Sequence, residues 1–295
     1  MVAGVAAAAF VVVTTSGCGA ANTLDPVAKA ASISTTTPGF QMRFEVRFGS
    51  PRLPTALTAT GAGSFDARDR AGSVVFVMNA GNDPQLNKAL GGSTLRLDEL
   101  VDGTTIYVKL PPAIAIKLPG GRPWMKVDLA KASGIRGFSS LANNPVSSDP
   151  SQFLSYLRAT SGHVSKQGTE VVNGIQTTHY HATINLDRVP DALPSGSRKG
   201  AKQAVSSIEQ LTGLKQLPVD AWIDSNNLIR RMRISFAESL APSVKLNIAM
   251  TMDFVKYGPQ PKPTFPSADQ VSDASSLSAW GDSGRRRAKP AARGR

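Results

Sequence analysis

The chain shows a regular alternation of apolar and polar residues from Phe40 onward. In residues 40–48 every second residue is apolar, and the residues between them are polar or charged. Because successive side chains of a β-strand point to opposite faces, this alternation predicts a strand with one buried and one solvated face. The predicted apolar face comprises Phe40, Met42, Phe44, Val46 and Phe48. Residues 243–255 repeat the pattern, and their apolar face comprises Val244, Leu246, Ile248, Met250, Met252 and Phe254.

Further segments with strand character lie between these two. They are 57–67, 73–79, 93–99, 104–110, 123–129, 162–172, 175–186, 217–224 and 228–236. Asp102-Gly103 and Asn173-Gly174 are dipeptides typical of tight hairpin turns, so each is expected to join the strands on its two sides. The apolar positions of these strands include Ala59, Met78, Tyr180 and Ile184.

Helical spacing replaces the strand pattern in residues 128–142, 150–160 and 198–212. Pro150 favours a helix start at that point, because proline is tolerated in the first helical turn. Strands and helices together predict a mainly-β (α+β) domain: a strongly curved antiparallel sheet of about eleven strands, or half-barrel, with helices closing its concave face. A two-layer β-sandwich is the alternative, but it would contain fewer helices.

The N-terminal end carries the features of an export signal. Residues 2–13 are apolar, which fits the hydrophobic region of a signal peptide and is too short to span a bilayer. Ser16, Gly17 and Cys18 follow in an order that resembles a bacterial lipobox, although Thr15 stands where Leu, Val or Ile is usual. The pattern predicts cleavage before Cys18, acylation of its thiol, and a lipid anchor in the cell membrane on its extracytoplasmic face. An ordinary secretory signal and an incidental cysteine are the alternatives.

These features divide the chain into parts. Residues 1–17 are the predicted signal peptide, 18–38 the lipidated cysteine and a flexible tether, 39–271 the domain, and 272–295 a disordered basic tail. Half of the net charge of +12 comes from six Lys and Arg residues in 284–295, so the charge does not indicate a nucleic-acid-binding surface. The tail is expected either to be a solvated terminus or to attract anionic head groups or wall polymers.

Residues that carry catalytic or metal chemistry are scarce. Cys18 is the only cysteine, which excludes an intrachain disulfide and a thiolate metal cluster. His179 and His181 share a strand face and could bind a metal with His163 or Glu170, although exposed strand histidines are the simpler interpretation. The sequence contains neither a G-x-S-x-G nucleophile motif nor a glycine-rich phosphate-binding loop. We therefore expect a binding or interaction protein rather than an enzyme, without cofactor, metal or nucleic-acid partner.

Parts of the sequence resemble a known family. The resemblance rests on DPSQFLSYLRATSGHVSKQGTEVVNGIQTTHYHATINL (149–186), LPVDAWIDSNNLIRRMRISF (217–236) and MTMDFVKYGPQPKPTFPSADQV (250–271). Their order resembles that of the extracytoplasmic lipoproteins with the LolA/LppX-like fold, in particular the actinobacterial lipid-binding branch. The resemblance covers about 38–270 of the chain. It implies a half-barrel that holds acyl chains in an apolar cavity under the sheet.

The strand pattern then gives a candidate lining for that cavity. The lining comprises Phe40, Met42, Phe44, Val46, Ala59, Met78, Tyr180, Ile184, Leu246, Ile248, Met250, Met252 and Phe254. The expected ligand is a lipid or lipoprotein, acylated Cys18 would contact membrane lipid, and envelope proteins are further candidate partners. The alternative is an envelope scaffold or signalling lipoprotein with a filled core and no ligand. Both remain open, because apolar alternation is the same for a cavity lining and for a core.

Overall fold

The chain is built mainly from β-strands. The computed structural model describes residues 25–50, 57–79, 84, 87–88, 92–116, 120–128, 151–193, 195–241 and 244–274. The strands are β1 (Gly39–Gly49), β2 (Leu57–Asp66), β3 (Ala71–Asn79), β4 (Thr94–Asp102), β5 (Thr105–Lys109), β6 (Trp124–Asp128), β7 (Thr160–Val172), β8 (Ile175–Asn185), β9 (Gln216–Asp224), β10 (Ile229–Ala241), β11 (Val244–Tyr257) and β12 (Val271–Asp273). The α-helices are α1 (Pro26–Thr35), α2 (Pro112–Ala115), α3 (Ser151–Tyr156), α4 (Val189–Ala192) and α5 (Ser195–Thr212).

The described strands form one 12-stranded sheet in the order β12-β6-β5-β4-β3-β2-β1-β11-β10-β9-β8-β7. The chain runs outward from β1 to β6, continues at the opposite edge with β7, and returns strand by strand to β11, which pairs with β1. Neighbours in the sheet pair antiparallel, except that β12 pairs parallel with β6. An open, curled, mainly antiparallel sheet with a few short helices confirms the predicted fold class, and a single sheet excludes the sandwich.

The predicted strand positions agree closely with the structure, and the hairpin signals are the reason. Asn173 and Gly174 have φ angles of 49° and 81°, as a tight turn between β7 and β8 requires. Gly103, with φ of 62°, performs the same function between β4 and β5. The short strand β12 was not predicted, because three residues are too few to show an alternation.

Helix α1 corrects the predicted extent of the tether. Residues 26–35 were expected to be flexible, yet they form a helix whose side chains at Val27, Ala30 and Ala31 are fully buried. The carboxylate of Asp25 caps this helix by accepting hydrogen bonds from the backbone N–H groups of Val27 (2.8 Å) and Ala28 (3.3 Å). The small apolar residues that suggested a linker instead recur at helical spacing and pack closely against the core.

Several sequence predictions concern residues outside the described ranges. They include the signal peptide, Cys18, residues 129–142 of the predicted helix and residues 275–295 of the basic tail. At the C-terminal boundary, β12 extends ordered structure to Asp273, beyond the predicted domain end at 271.

The hydrophobic core lies between one face of the sheet and the helices. We call this face the inner face; it carries the alternate residues of β1 that begin with Phe40 and Met42. Helix α1 contacts β7, β9 and β10 as well as α3, and α5 contacts β10 and α4. The described helices therefore cover the β7–β10 part of the inner face, and the remaining alternate residues of each strand form the opposite, outer face.

Candidate functional site

The apolar inner face is continuous across the centre of the sheet because neighbouring strands are in register. Phe44 of β1 lies opposite Met252 of β11, and Val46 lies opposite Met250. On the other side of β1, Val46 lies opposite Ala59 of β2. Side chains directly opposite each other in antiparallel strands lie on the same face within contact distance. The predicted lining residues of these strands therefore form one strip.

One end of this strip, which we call the sealed end, consists of Phe40, Met42, Met252 and Phe254. Phe254 is fully buried, and the exposed fraction of the other three is 2% each. The rings of Phe40 and Phe254 meet edge to face, with centroids 5.4 Å apart. At the sealed end the predicted lining residues are thus packed as a core.

Hydrogen bonds join helix α1 to the sheet beside the sealed end. The backbone N–H of Ile229 donates to Oγ of Ser34 (3.0 Å), and the hydroxyl of Tyr257 donates to the carbonyl of Ile229 (2.6 Å). Burial raises the pKa of Tyr257, so its hydroxyl keeps its proton and remains a donor. Helix and sheet are therefore fixed to each other here.

The other end of the strip, the open end, consists of Val46, Ala59, Met78, Ile248 and Met250. The side chains of Val46, Ala59, Ile248 and Met250 are half-buried, and 38% of Met78 is exposed. A groove of about 440 Å³ at the same edge of the sheet lies mainly on the outer face, and only Phe236 and Ile248 of its lining belong to the inner face. The open end therefore presents apolar surface that the described part of the chain does not fully cover.

Phe44 marks the boundary between the two ends. Its ring lies across Gly61 of β2, where any side chain would overlap the ring, and its centroid is 5.0 Å from that of Phe76. Glycine at position 61 is thus required for the close approach of this ring to the neighbouring strand.

The remaining predicted lining residues lie elsewhere. Ile184 of β8 is buried in the same core as the sealed end, and Tyr180 is half-buried against that core. Leu246 lies on β11 opposite Glu238, and its side chain is outside the described part.

Sequence reasoning missed a carboxyl group on the inner face. Glu99 of β4 lies opposite Val74 of β3 and Val108 of β5, and its exposed fraction is 7%. Burial raises the pKa of Glu99 to about 8, so the side chain is mostly neutral at pH 7. The signal for it was a glutamate at an apolar position of the alternation in 93–99.

The outer face carries a polar network centred on Trp222. Its ring stacks on that of His179 with centroids 4.2 Å apart, and its indole N–H donates to Glu170 Oε2 (3.0 Å). His179 also contacts Asp220, which lies 2.9 Å from Nδ1 of His181. These contacts bury Trp222 although it lies on the polar face, so its role here is packing.

The two histidines, His179 and His181, were predicted candidates for metal ligands. In the described ranges, no three His, Cys, Asp or Glu side chains converge in a way that could hold a metal ion. The side chain of His163, a further candidate ligand, is not among those that the structure describes. A groove of about 550 Å³ does occur on the outer face, and its charged lining includes Arg43, Arg47 and Arg231. Arg231 is engaged there by Asp253 through two hydrogen bonds of 2.6 and 2.7 Å.

Among the described helices, none combines the length and the apolar character needed to cross a bilayer.

Solved structures with a similar arrangement include LprF from Mycobacterium bovis (16% identity, TM-score 0.42), which is similar over 81% of this chain and 94% of that chain. The Mycobacterium tuberculosis lipoprotein LppX is similar over 81% of this chain and 97% of that chain (16% identity, TM-score 0.39). A LolA superfamily protein from Nitrosomonas europaea is similar over 81% of this chain and 93% of that chain (9% identity, TM-score 0.30). Two of these names, LppX and the LolA superfamily, are those of the family that the sequence resembles. The likeness concerns the fold alone.

The sequence comparisons are more limited. No family model matches the chain. An uncharacterized 31.2 kDa protein from Streptomyces griseus, in the rplA-rplJ intergenic region, is 33% identical over 128 residues. The match spans 42% of this chain and 40% of the length of that relative.

Proposed function

We propose that the protein is an extracytoplasmic lipoprotein, anchored in the cell membrane through acylated Cys18, that binds acyl chains of a lipid or lipoprotein on the inner face. The observation that carries this proposal is the open end, an apolar strip that continues from a closed core but is only half-buried. Apolar surface in such a position favours an occupant that is itself apolar.

The chemistry of the open end suits a flexible hydrocarbon chain. Each methylene that leaves water contributes about 0.8 kcal/mol, so about ten methylenes would gain roughly 8 kcal/mol before the cost of immobilising the chain. The methionines Met78 and Met250 adapt their shape readily, because their side chains are unbranched and polarizable. Ala59, between them in the sheet, has a small side chain.

The proposed function is binding rather than catalysis. The polar groups of the outer face pair with one another, as His179 does with Asp220 and Arg231 with Asp253. Membrane lipid is the partner of acylated Cys18, and envelope proteins are candidates for delivering or receiving the ligand. The basic tail would add attraction to anionic head groups.

The test is to purify the full chain and its Cys18→Ala variant from the native host, after fractionating membranes from soluble material. The wild type should be in the membrane fraction and the variant in the soluble fraction, because the acyl chains are lost. Native mass spectrometry of both should show a noncovalent lipid. Membrane retention of the variant would disprove the anchor, and absence of lipid from both would favour a scaffold with a filled core.

A further inference from the structure

Glu99 occupies a place in the sheet where an apolar residue is expected. Within β4 it shares the inner face with Leu97 and Val101, and across the sheet it lies opposite Val74 and Val108. Val74 and Val101 belong to the buried core. The carboxyl group therefore projects to the apolar inner face.

The carboxyl group of Glu99 has no protein partner in the part of the chain that the structure describes: no hydrogen bond or ion pair reaches it. The inner-face residues of the strands beside it, Val74 and Val108, carry neither charge nor titratable group. The oxygens of Glu99 are not among the completely enclosed, unpaired polar atoms of the described residues, so a ligand can still reach the carboxyl group and use its hydrogen bonds.

Asp66 is a buried carboxyl group of the same protein that does have hydrogen-bond partners. It is as buried as Glu99, but Oδ2 accepts a hydrogen bond from the backbone N–H of Gln260 (2.9 Å) and Oδ1 one from that of Arg68 (3.0 Å). These hydrogen bonds lower the pKa of Asp66. Asp66 is a structural carboxylate, whereas Glu99 keeps its hydrogen-bonding capacity unused.

The register places Glu99 in one row across the sheet with a residue of the sealed end. Glu99 is opposite Val74, Val74 opposite Gly63, and Gly63 opposite Met42 of the sealed end. Met78 of the open end is four residues from Val74 along β3. At about 3.3 Å per residue, the row of side chains through Met78 lies roughly 13 Å from the row through Val74 and Glu99. A chain that lies along the inner face over Phe76 would span this distance, with one end at Met78 and the other beside Glu99.

We propose, on the basis of the lipid-binding function above, that Glu99 binds an uncharged oxygen group, a hydroxyl or ester, of an acyl lipid. The lipid would place this group beside Glu99 and its acyl chain toward the open end. A protonated carboxyl donates one hydrogen bond and accepts others, which matches a hydroxyl or ester oxygen. An anionic lipid is disfavoured, because its charge would have to leave water for an apolar face.

The test compares two lipids with the same acyl chain, uncharged monooleoylglycerol and anionic oleate, by displacement of Nile red from the purified protein at pH 6.5. The wild type should bind monooleoylglycerol at least about tenfold more tightly than oleate. Glu99→Leu should lose about tenfold in affinity for monooleoylglycerol, whereas Glu99→Gln, which keeps the hydrogen bonds, should stay within about threefold. Asp98→Asn, one residue away on the outer face, is the matched control and should bind as the wild type does.

A rise to pH 9.5 separates a hydrogen-bonding role from mere packing. Ionisation of Glu99 should weaken binding of monooleoylglycerol by the wild type, while Glu99→Gln should show no such change. If folded Glu99→Leu binds monooleoylglycerol as the wild type does, the role of Glu99 is wrong and the lipid-binding function survives. If neither lipid displaces Nile red from the wild type, both the role of Glu99 and the lipid-binding function are wrong.

Discussion

The two ends of the inner-face strip belong to the same strands and have the same apolar alternation, yet they differ in what covers them. At the sealed end Phe254 and Met252 are buried and helix α1 is hydrogen-bonded beside them through Ser34. At the open end Met250 and Ile248 remain half-buried. The comparison shows that a strand pattern specifies which face is apolar, whereas the elements opposite that face determine whether it becomes core or binding surface.

The largest effect is expected at the sealed end, from Phe254→Ala. Phe254 is fully buried and its ring contacts the rings of Phe40 and Tyr257. Removing a buried phenylalanine ring costs about 3–5 kcal/mol of the free energy of unfolding, because a cavity remains. Urea denaturation followed by circular dichroism measures this cost. A loss below about 1 kcal/mol would mean that the sealed end is not a packed core.

A matched pair of methionines sharpens the comparison, since Met252 and Met250 lie two residues apart on one face of β11. Met252→Ala should cost about 2–5 kcal/mol in the free energy of unfolding, and Met250→Ala less than half as much as Met252→Ala, because Met250 is already partly exposed. Binding of a fluorescent fatty-acyl probe should change in the opposite order, with Met250→Ala the more damaging. Equal costs in unfolding would remove the distinction between the ends.

The smallest effect on folding is expected at the open end, from Ala59→Trp. Ala59 lies opposite Val46 and Met78, and its side chain is half-buried. The added indole should therefore change the melting temperature little while it occludes the fatty-acyl probe. In a packed core the same change would cost about 1–3 kcal/mol or more. A stable variant with unaltered probe binding would contradict a chain-binding role for this surface.

The sequence predicted the strands well because their signal is local. Alternation and the turn at Asn173-Gly174 are both visible within a few residues. Helix α1 was missed, since its alanines and serines are as typical of a linker as of a helix that packs closely. The burial of Val27 results from contact with strands more than a hundred residues away along the chain. The division into sealed and open ends depends on such contacts, so the pattern alone could not predict it.

Glu99 was missed for a different reason. It was visible as a charged residue in an apolar position, but a solvated strand end or a bulge would give the same pattern. Only the register, which places Glu99 opposite Val74 and Val108, shows that its side chain projects to the apolar face. The sequence thus shows the charged residue but not which side chains surround it in the sheet.

The capping residue of α1 has a consequence for the orientation of the molecule. Asp25 contacts the hydroxyl of Thr160 at the start of β7. In an antiparallel sheet this edge is shared with the start of β11 and the end of β1, which is the edge of the open end. Asp25 follows Cys18 by seven positions, a stretch of chain that can extend to at most about 25 Å. A lipid on Cys18 would thus hold the open end close to the bilayer and facing it. The distance between the open end and the bilayer surface would be smaller than the thickness of the membrane.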